Sequence, residues 1–265
     1  MAALKSQAVD THAHVFSSGA PAVAGARYRP AYEATLDAWQ SQWSRAGITH
    51  GVLVQPSFFG TDNGEMLAAL AMDARRLRGV AVVDPACDAG EIARLQCGGV
   101  RAIRLNLKGV KDYAALASDP WQALFARVKD AGLHVEAFVD AGRLPEVVPA
   151  FEAVAVPLVF DHFGNPGREV GATFAAIARL ATSREVWCKL SAPYRLEGHE
   201  PRALAGRWLD AVGPRRLVWG SDWPGTGFEA SHDCAGLREA VDAWLDGPLT
   251  RAVLWDNAAR LYQFD

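Results

Sequence analysis

The sequence has little cysteine, no marked charge excess and no long apolar run, and each shortage removes a class of protein. Its four cysteines, Cys87, Cys97, Cys188 and Cys234, form no CxxC pair, which excludes a disulfide framework or a cysteine-built zinc site as the organising feature. They read as reduced thiols, mostly in the core. Met1–Gln7 lacks a basic segment followed by an apolar stretch, so the expected location is cytoplasmic. No apolar stretch approaches the length that spans a bilayer. A net charge of −3, with the basic residues scattered, leaves no electrostatic footprint for nucleic acid or an anionic membrane, and a small-molecule partner is expected instead. Internal repeats, low-complexity tracts and Pro/Ser-rich linkers are also missing, so residues 1–265 read as a single domain. Nothing in the composition speaks to oligomeric state.

What is present is a rhythm. Eight short apolar or β-branched runs alternate with longer amphipathic stretches: Ala8–His14, Ile48–Gln55, Gly79–Val83, Val100–Asn106, Leu133–Val139, Pro157–Asp161, Glu185–Leu190 and Arg216–Gly220. Several are almost continuously apolar, as strands buried on both faces are. Between them, Tyr32–Ala46 carries apolar residues at three- and four-residue spacing and stops at Gly47. Pro120–Ala131 has Asp119 in N-cap position and ends at Gly132, and Arg207–Val212 yields to Gly213 and Pro214. An open doubly wound sheet shares this rhythm but wants a GxGxxG or GxxxxGK loop after an early strand, and neither motif occurs. The expected fold is therefore an α/β protein of the (β/α)8 TIM barrel type.

Polar residues gather at the ends of the runs. The first closes on Asp10-Thr11-His12-Ala13-His14, where a strand period of two puts both imidazoles on one face. If that face is the barrel interior, His12 and His14 can serve as ligands of one divalent cation or as donors to one substrate oxygen; otherwise they are core or solvated histidines. The sixth run ends in Asp161-His162 and the eighth in Ser221-Asp222-Trp223. Active sites of such barrels are built from the C-terminal strand ends, so His12, His14, His162 and Asp222 converge on one mouth. Phe58, Phe59, Tyr194 and Trp223 also fall at strand ends, which fits an aromatic-lined cleft for a planar ring.

Together the stretches DTHAHVF, HGVLVQPSFFGTDN, GVRAIRLNL, DHFGNPG, KLSAPYR and WGSDWP give the chain a near full-length resemblance to the amidohydrolase superfamily. The resemblance is to its amidohydrolase-2 group, within which the 2-pyrone-4,6-dicarboxylate lactonase branch is most similar. It implies a hydrolase that opens a cyclic ester, a muconolactone or sugar lactone among the possible rings. Asp222 is then the general base, with His12, His14 and His162 around the scissile carbonyl. Ser57, Arg101, Arg104 and Arg195, with Tyr194 beside them, are implied to bind a carboxylated substrate. Where the resemblance implies an arginine after the sixth-strand histidine, this sequence has Asn165, with Arg168 further on.

The residues themselves qualify that set. Arg101 and Arg104 are three apart, so a regular strand points them to opposite faces; Arg104, nearer the C-terminal end, is the one expected inside. His134 starts its strand and suits the barrel bottom, whereas Glu136 or Asp140 could reach a metal. His12, His14, His162 and Asp222 could hold one Zn²⁺ or Mn²⁺, but the resemblance implies that no cofactor is required. Two other functions remain open: a metal-dependent decarboxylase of an unsaturated acid, and a barrel that binds an acidic metabolite without catalysis.

Overall fold

The computed structural model describes residues 7–19 and 22–265. Its strands are β1 (Val9–Ala13), β2 (His50–Val54), β3 (Leu77–Ala81), β4 (Val100–Asn106), β5 (His134–Phe138), β6 (Leu158–Phe160), β7 (Val186–Ser191) and β8 (Leu217–Gly220). They pair in parallel and in sequence order in one eight-stranded sheet. The ring closes between β8 and β1: Asp222 N donates to His12 O at 2.9 Å, His14 N to Trp223 O at 2.8 Å, and Thr11 Oγ1 to Trp219 O at 2.7 Å. The expected (β/α)8 barrel is the observed fold.

One glycine makes this closure possible. A Cβ added to Gly220 would lie 2.6 Å from His12 Cβ and 2.8 Å from His12 N, closer than packed atoms come. Overpacking of this kind costs about 1–3 kcal/mol, so Gly220→Ala should lower the thermal midpoint by roughly 2–12 °C. A melt unchanged to within a degree would mean that the seam yields freely.

The chain's last helical stretch plugs the barrel floor. Ala258, Tyr262 and Phe264 pack with inward-facing Val9, Val52, Val80, Ala102, Val159, Trp187 and Val218 in a core of their own, separate from the one between strands and outer helices. Asn257 secures the plug by donating to Leu217 O and Pro214 O.

Local departures from the sequence pattern have physical causes. Tyr32–Ala46 is not one helix. Phe16 and Ala34 form an antiparallel bridge that holds the chain extended up to Thr35, whose side chain caps a helix at Leu36–Gln40. The helix then breaks where Ser41 Oγ turns back to Ala38 O, and a second short helix, Trp43–Ala46, follows. The helix expected from Pro120 begins at Asp119, with Ser118 in the N-cap position, so Asp119 lies in the first turn, where it favours the helix dipole.

Candidate active site

The geometry of the site begins with a bulge. Asp10 pairs with Gly51 and Ala13 with Leu53, so β1 carries one residue more than β2 across this span. A regular strand would send Asp10, His12 and His14 to the same side. Instead Asp10 faces outward, its carboxylate accepting from Trp39 Nε1, Ser221 N and Ser221 Oγ, while the histidines turn into the barrel. The bulge lets one short motif both rivet β1 to β8 and arm the interior.

Three imidazoles then surround one carboxylate oxygen. Asp222 Oδ1 lies 3.6 Å from His12 Nε2, 3.8 Å from His162 Nε2 and 3.9 Å from His14 Nε2. Its partner oxygen, Oδ2, accepts from Tyr194 Oη at 2.8 Å and from Arg195 Nη2 and Nε at 3.1 and 3.2 Å. One oxygen is thus pinned while the other is aimed. The ends of β6, β7 and β8 each turn through a left-handed residue that is not glycine: His162 (φ 53°), Ala192 (φ 49°) and Asp222 (φ 60°). Such backbone costs roughly 1–2 kcal/mol per residue and clusters at sites where geometry is over-determined by the surroundings.

Burial sets the charge states. It lowers His14 and His162 to about 4, with Arg104 adding to the effect, and holds His12 well below the usual range, helped by Lys189. All three are neutral at pH 7. Burial alone would raise the Asp222 carboxyl, but His162, Arg195, His12 and His14 overcome it and hold the group well below the carboxylate range. With the imidazoles neutral, Arg195 is the cation that keeps Asp222 ionised.

The orientation of each ring is set from behind. His14 Nδ1 meets Val54 O at 2.7 Å, and a carbonyl only accepts, so Nδ1 carries the proton and Nε2 presents a lone pair. His162 Nδ1 meets Ser191 Oγ at 2.8 Å. His12 Nδ1 lies 3.3 Å from both Lys189 Nζ and Asp161 Oδ1. His12, His14 and Asp222 place ligand atoms within 4.8 Å of one another, and neutral imidazoles with a carboxylate fit a divalent cation such as Zn²⁺ or Mn²⁺.

Below this ring lies a charged layer that the sequence reading did not identify. Lys189 is fully buried, its Nζ 2.5 Å from Glu136 Oε2 and 3.4 Å from Asp161 Oδ1. Glu136 also accepts from Tyr262 Oη at 2.6 Å and sits 3.2 Å from His134 Nε2. Glu136 is therefore tied to the barrel floor and not to the Asp222 cluster, and His134 is at the bottom as expected. A lysine in the middle of the apolar run Trp187-Cys188-Lys189-Leu190 was the available signal.

Asp222, His14 and His162 form the base of a cavity of about 420 Å³. Ser57, Phe58 and Phe138 wall it, and Arg27, Arg104, Lys108 and Arg195 bring positive charge to it. Among the described residues Asp222 is the one acid in its lining. Arg104 is partly neutralised by Asp161 at 3.3 Å, and Arg195 by Asp222. Arg27 and Lys108 make no salt bridge among the described residues.

Of the residues picked from the sequence, His12, His14, His162, Asp222, Ser57, Arg104, Arg195 and Tyr194 are brought together. Arg101 is not. It projects to the outer face of β4 and donates to Gln96 O and Val100 O, since Ala102, Arg104 and Asn106 have the inward parity and Arg101 does not. Asp140 supports the rim, accepting from Gly109 N at 2.7 Å. Asn165, in place of the implied arginine, is left-handed (φ 44°) and donates to Val139 O. Among the described residues no helix is long and apolar enough to cross a membrane.

The chain matches the amidohydrolase family profile over residues 9–264. It is 31% identical to a 2-pyrone-4,6-dicarboxylate hydrolase of Comamonas testosteroni, over 98% of this chain and 91% of that one. It is 27% identical to a 4-sulfomuconolactone hydrolase of Rhizobium radiobacter, again over 98% and 91%. The crystal structure of a probable 2-pyrone-4,6-dicarboxylic acid hydrolase of Acinetobacter baumannii, with citric acid bound, superposes with a TM-score of 0.89 at 31% identity, covering 97% of this chain and 99% of that one. The chain belongs to the amidohydrolase family.

Proposed function

We propose that the protein hydrolyses a carboxylated lactone, with 2-pyrone-4,6-dicarboxylate, muconolactones and aldonolactones as the candidate rings. The observation that carries this reading is the division of the Asp222 carboxylate, one oxygen held by Tyr194 and Arg195 and the other facing three imidazoles at the base of a cationic cavity. Asp222 Oδ1 takes a proton from water as the water oxygen bonds to the lactone carbonyl carbon. His12 and His162 stand beside the carbonyl oxygen as it becomes an oxyanion, while His14, whose Nε2 presents a lone pair, faces the attacking water. Collapse of the tetrahedral intermediate breaks the ring C–O bond, and the proton on Asp222 returns to the leaving oxygen. Arg104 and Lys108 receive substrate carboxylates, Ser57 donates to the same end of the ring, and Phe58 and Phe138 flank its faces.

In this reading the protein's own side chains carry every step, as the metal-free branch of the resemblance implies. Were a metal bound, His12, His14, His162 and Asp222 would hold it, and it would polarise the carbonyl. The relatives named as hydrolases of pyrone and sulfomuconolactone rings support the substrate class. The unpaired cysteines suit a reducing compartment, and we place the reaction in the cytoplasm.

The test is turnover of a panel of those lactones, followed by proton release, before and after chelation. Hydrolysis that survives chelation supports metal-free catalysis, and hydrolysis restored only by Zn²⁺ or Mn²⁺ assigns the metal. No ring opening under either condition sinks the reading and leaves decarboxylation or binding.

The low imidazole values give a pH prediction for the metal-free protein. His14 and His162 are neutral down to about pH 4, so kcat/KM should stay level from about pH 8 to 5 and fall only below that. Stability behaves differently. Each buried imidazole binds its proton less readily folded than unfolded, so its contribution is complete above the ordinary value of 6.5 and is lost as pH falls toward about 4. The thermal midpoint should decline through that window while the rate holds. A rate limb centred near 6.5 would show that these imidazoles are solvated.

A further inference from the structure

Two loops meet over the cavity. Glu229, on the loop after β8, has its Oε1 accepting from Tyr28 Oη at 2.7 Å and Tyr32 Oη at 2.8 Å, both from the loop after β1, and from Gly227 N at 3.0 Å. Its neighbour Phe228 fixes the same loop to the base of the site, lying 5.0 Å from the Tyr194 ring and 4.6 Å beneath the Arg195 guanidinium. Tyr194 and Arg195 in turn hold Asp222. On the other side, Tyr28 is preceded by Arg27, which crosses the mouth to the loop after β4. A Cβ on Gly109 would come within 3.3 Å of Arg27 Cδ, and Gly109 adjoins Lys108. Both cations line the cavity and neither has a salt-bridge partner among the described residues.

We propose that Glu229 is a positioning residue: by holding Tyr28 and Tyr32 it fixes Arg27 across the cavity mouth, where Arg27 and Lys108 form a subsite for a second carboxylate of the substrate. This deepens the lactone reading and rests on it for what the subsite serves. The physical logic is that a long arginine on an exposed loop loses much side-chain entropy when it binds an anion, and a loop already tied down removes part of that cost. Hydrogen bonds to a carboxylate are the stronger kind, and two tyrosines on one oxygen also define a direction. Burial opposes ionisation of Glu229, but the Gly227 N–H and the two hydroxyls outweigh it, holding its carboxyl at about 2, so the tie persists across the working pH range.

The experiment uses isophthalate, a rigid ring with two carboxylates, and benzoate, with one, titrated calorimetrically into the full-length protein. Glu229→Ala and Arg27→Ala should each weaken isophthalate about tenfold, and the double variant should be no worse than about twofold beyond Arg27→Ala, because the two act as a unit. Glu229→Ala should leave benzoate within about twofold, and Glu229→Gln, whose amide oxygen still accepts, should recover most of the isophthalate affinity. On a carboxylated lactone that turns over, Glu229→Ala should raise KM and leave kcat near the wild-type value. Independent, additive losses would overturn the proposal. So would an equal loss for benzoate, unchanged isophthalate affinity in Glu229→Ala, or no isophthalate binding by the wild type. These titrations read binding alone, so an absence of ring opening would remove the hydrolytic reading without touching them.

Discussion

Asp222→Asn should cost about 10²–10⁴-fold in kcat, the range over which a positioned proton acceptor contributes, while the thermal midpoint stays close to the wild type. Asparagine matches aspartate in shape, and its carbonyl oxygen can still accept from Tyr194 and Arg195, so the loop after β8 keeps its anchor. What the amide cannot do is take a proton from water. The expected signature is a fall in kcat with substrate affinity largely intact, because the cations and aromatic walls of the cavity are unchanged. Steady-state kinetics on whichever lactone turns over, with a melt beside it, reads both. Activity within about tenfold of the wild type would put the base elsewhere. A melting point several degrees lower would show that the carboxylate charge was holding Arg195 in place.

Lys189→Met should be strongly destabilising. It removes the ammonium that compensates Glu136 and Asp161 in a layer with no solvent exposure. Breaking a buried ion pair from one side costs about 3–5 kcal/mol, since the remaining charge is stranded, and in a chain of this size that lowers the midpoint by roughly 6–20 °C. Adding Glu136→Gln should restore part of the loss, as the stranded carboxylate becomes a neutral amide that Tyr262 can still reach. The pH dependence follows from the same pair. Burial would raise the Glu136 carboxyl, but Lys189 and His134 bring it down to about 2 from an ordinary 4.5, so its contribution is whole above about pH 4.5 and fades as pH drops toward 2. A Lys189→Met protein melting within about 2 °C of the wild type would mean the layer is not held by charge.

The barrel was legible because its strands are buried on both faces and write themselves as apolar runs; β4 was read to the residue. Strand boundaries slipped where a polar residue sits inside a strand, as at Arg78 in β3. His12, His14, His162 and Asp222 could be found because strand ends have a fixed place in this architecture. Parity alone separated Arg104 from Arg101. What escaped depends on contacts between distant segments. The bulge that turns Asp10 away from His12 is a property of pairing with β2, and the late start of the helix at Leu36 follows from the bridge between Phe16 and Ala34. Arg27 and Glu229 lie on loops without periodicity, so no local pattern marks them as neighbours of one cavity. Lys108, two residues beyond the end of β4 at Asn106, lies within reach of the same reasoning that selects Arg104.

The seam where the ring closes is also where the chemistry would be assembled. Asp222 and His12 are joined backbone to backbone, as are His14 and Trp223, across the β8–β1 junction. Any breathing of the barrel at that junction therefore separates the base from the imidazoles before the helices outside have moved. In a denaturant or heating series, catalytic output should vanish while ellipticity is still native, which makes enzymatic rate a more sensitive gauge of ring integrity than any spectroscopic average over the whole chain.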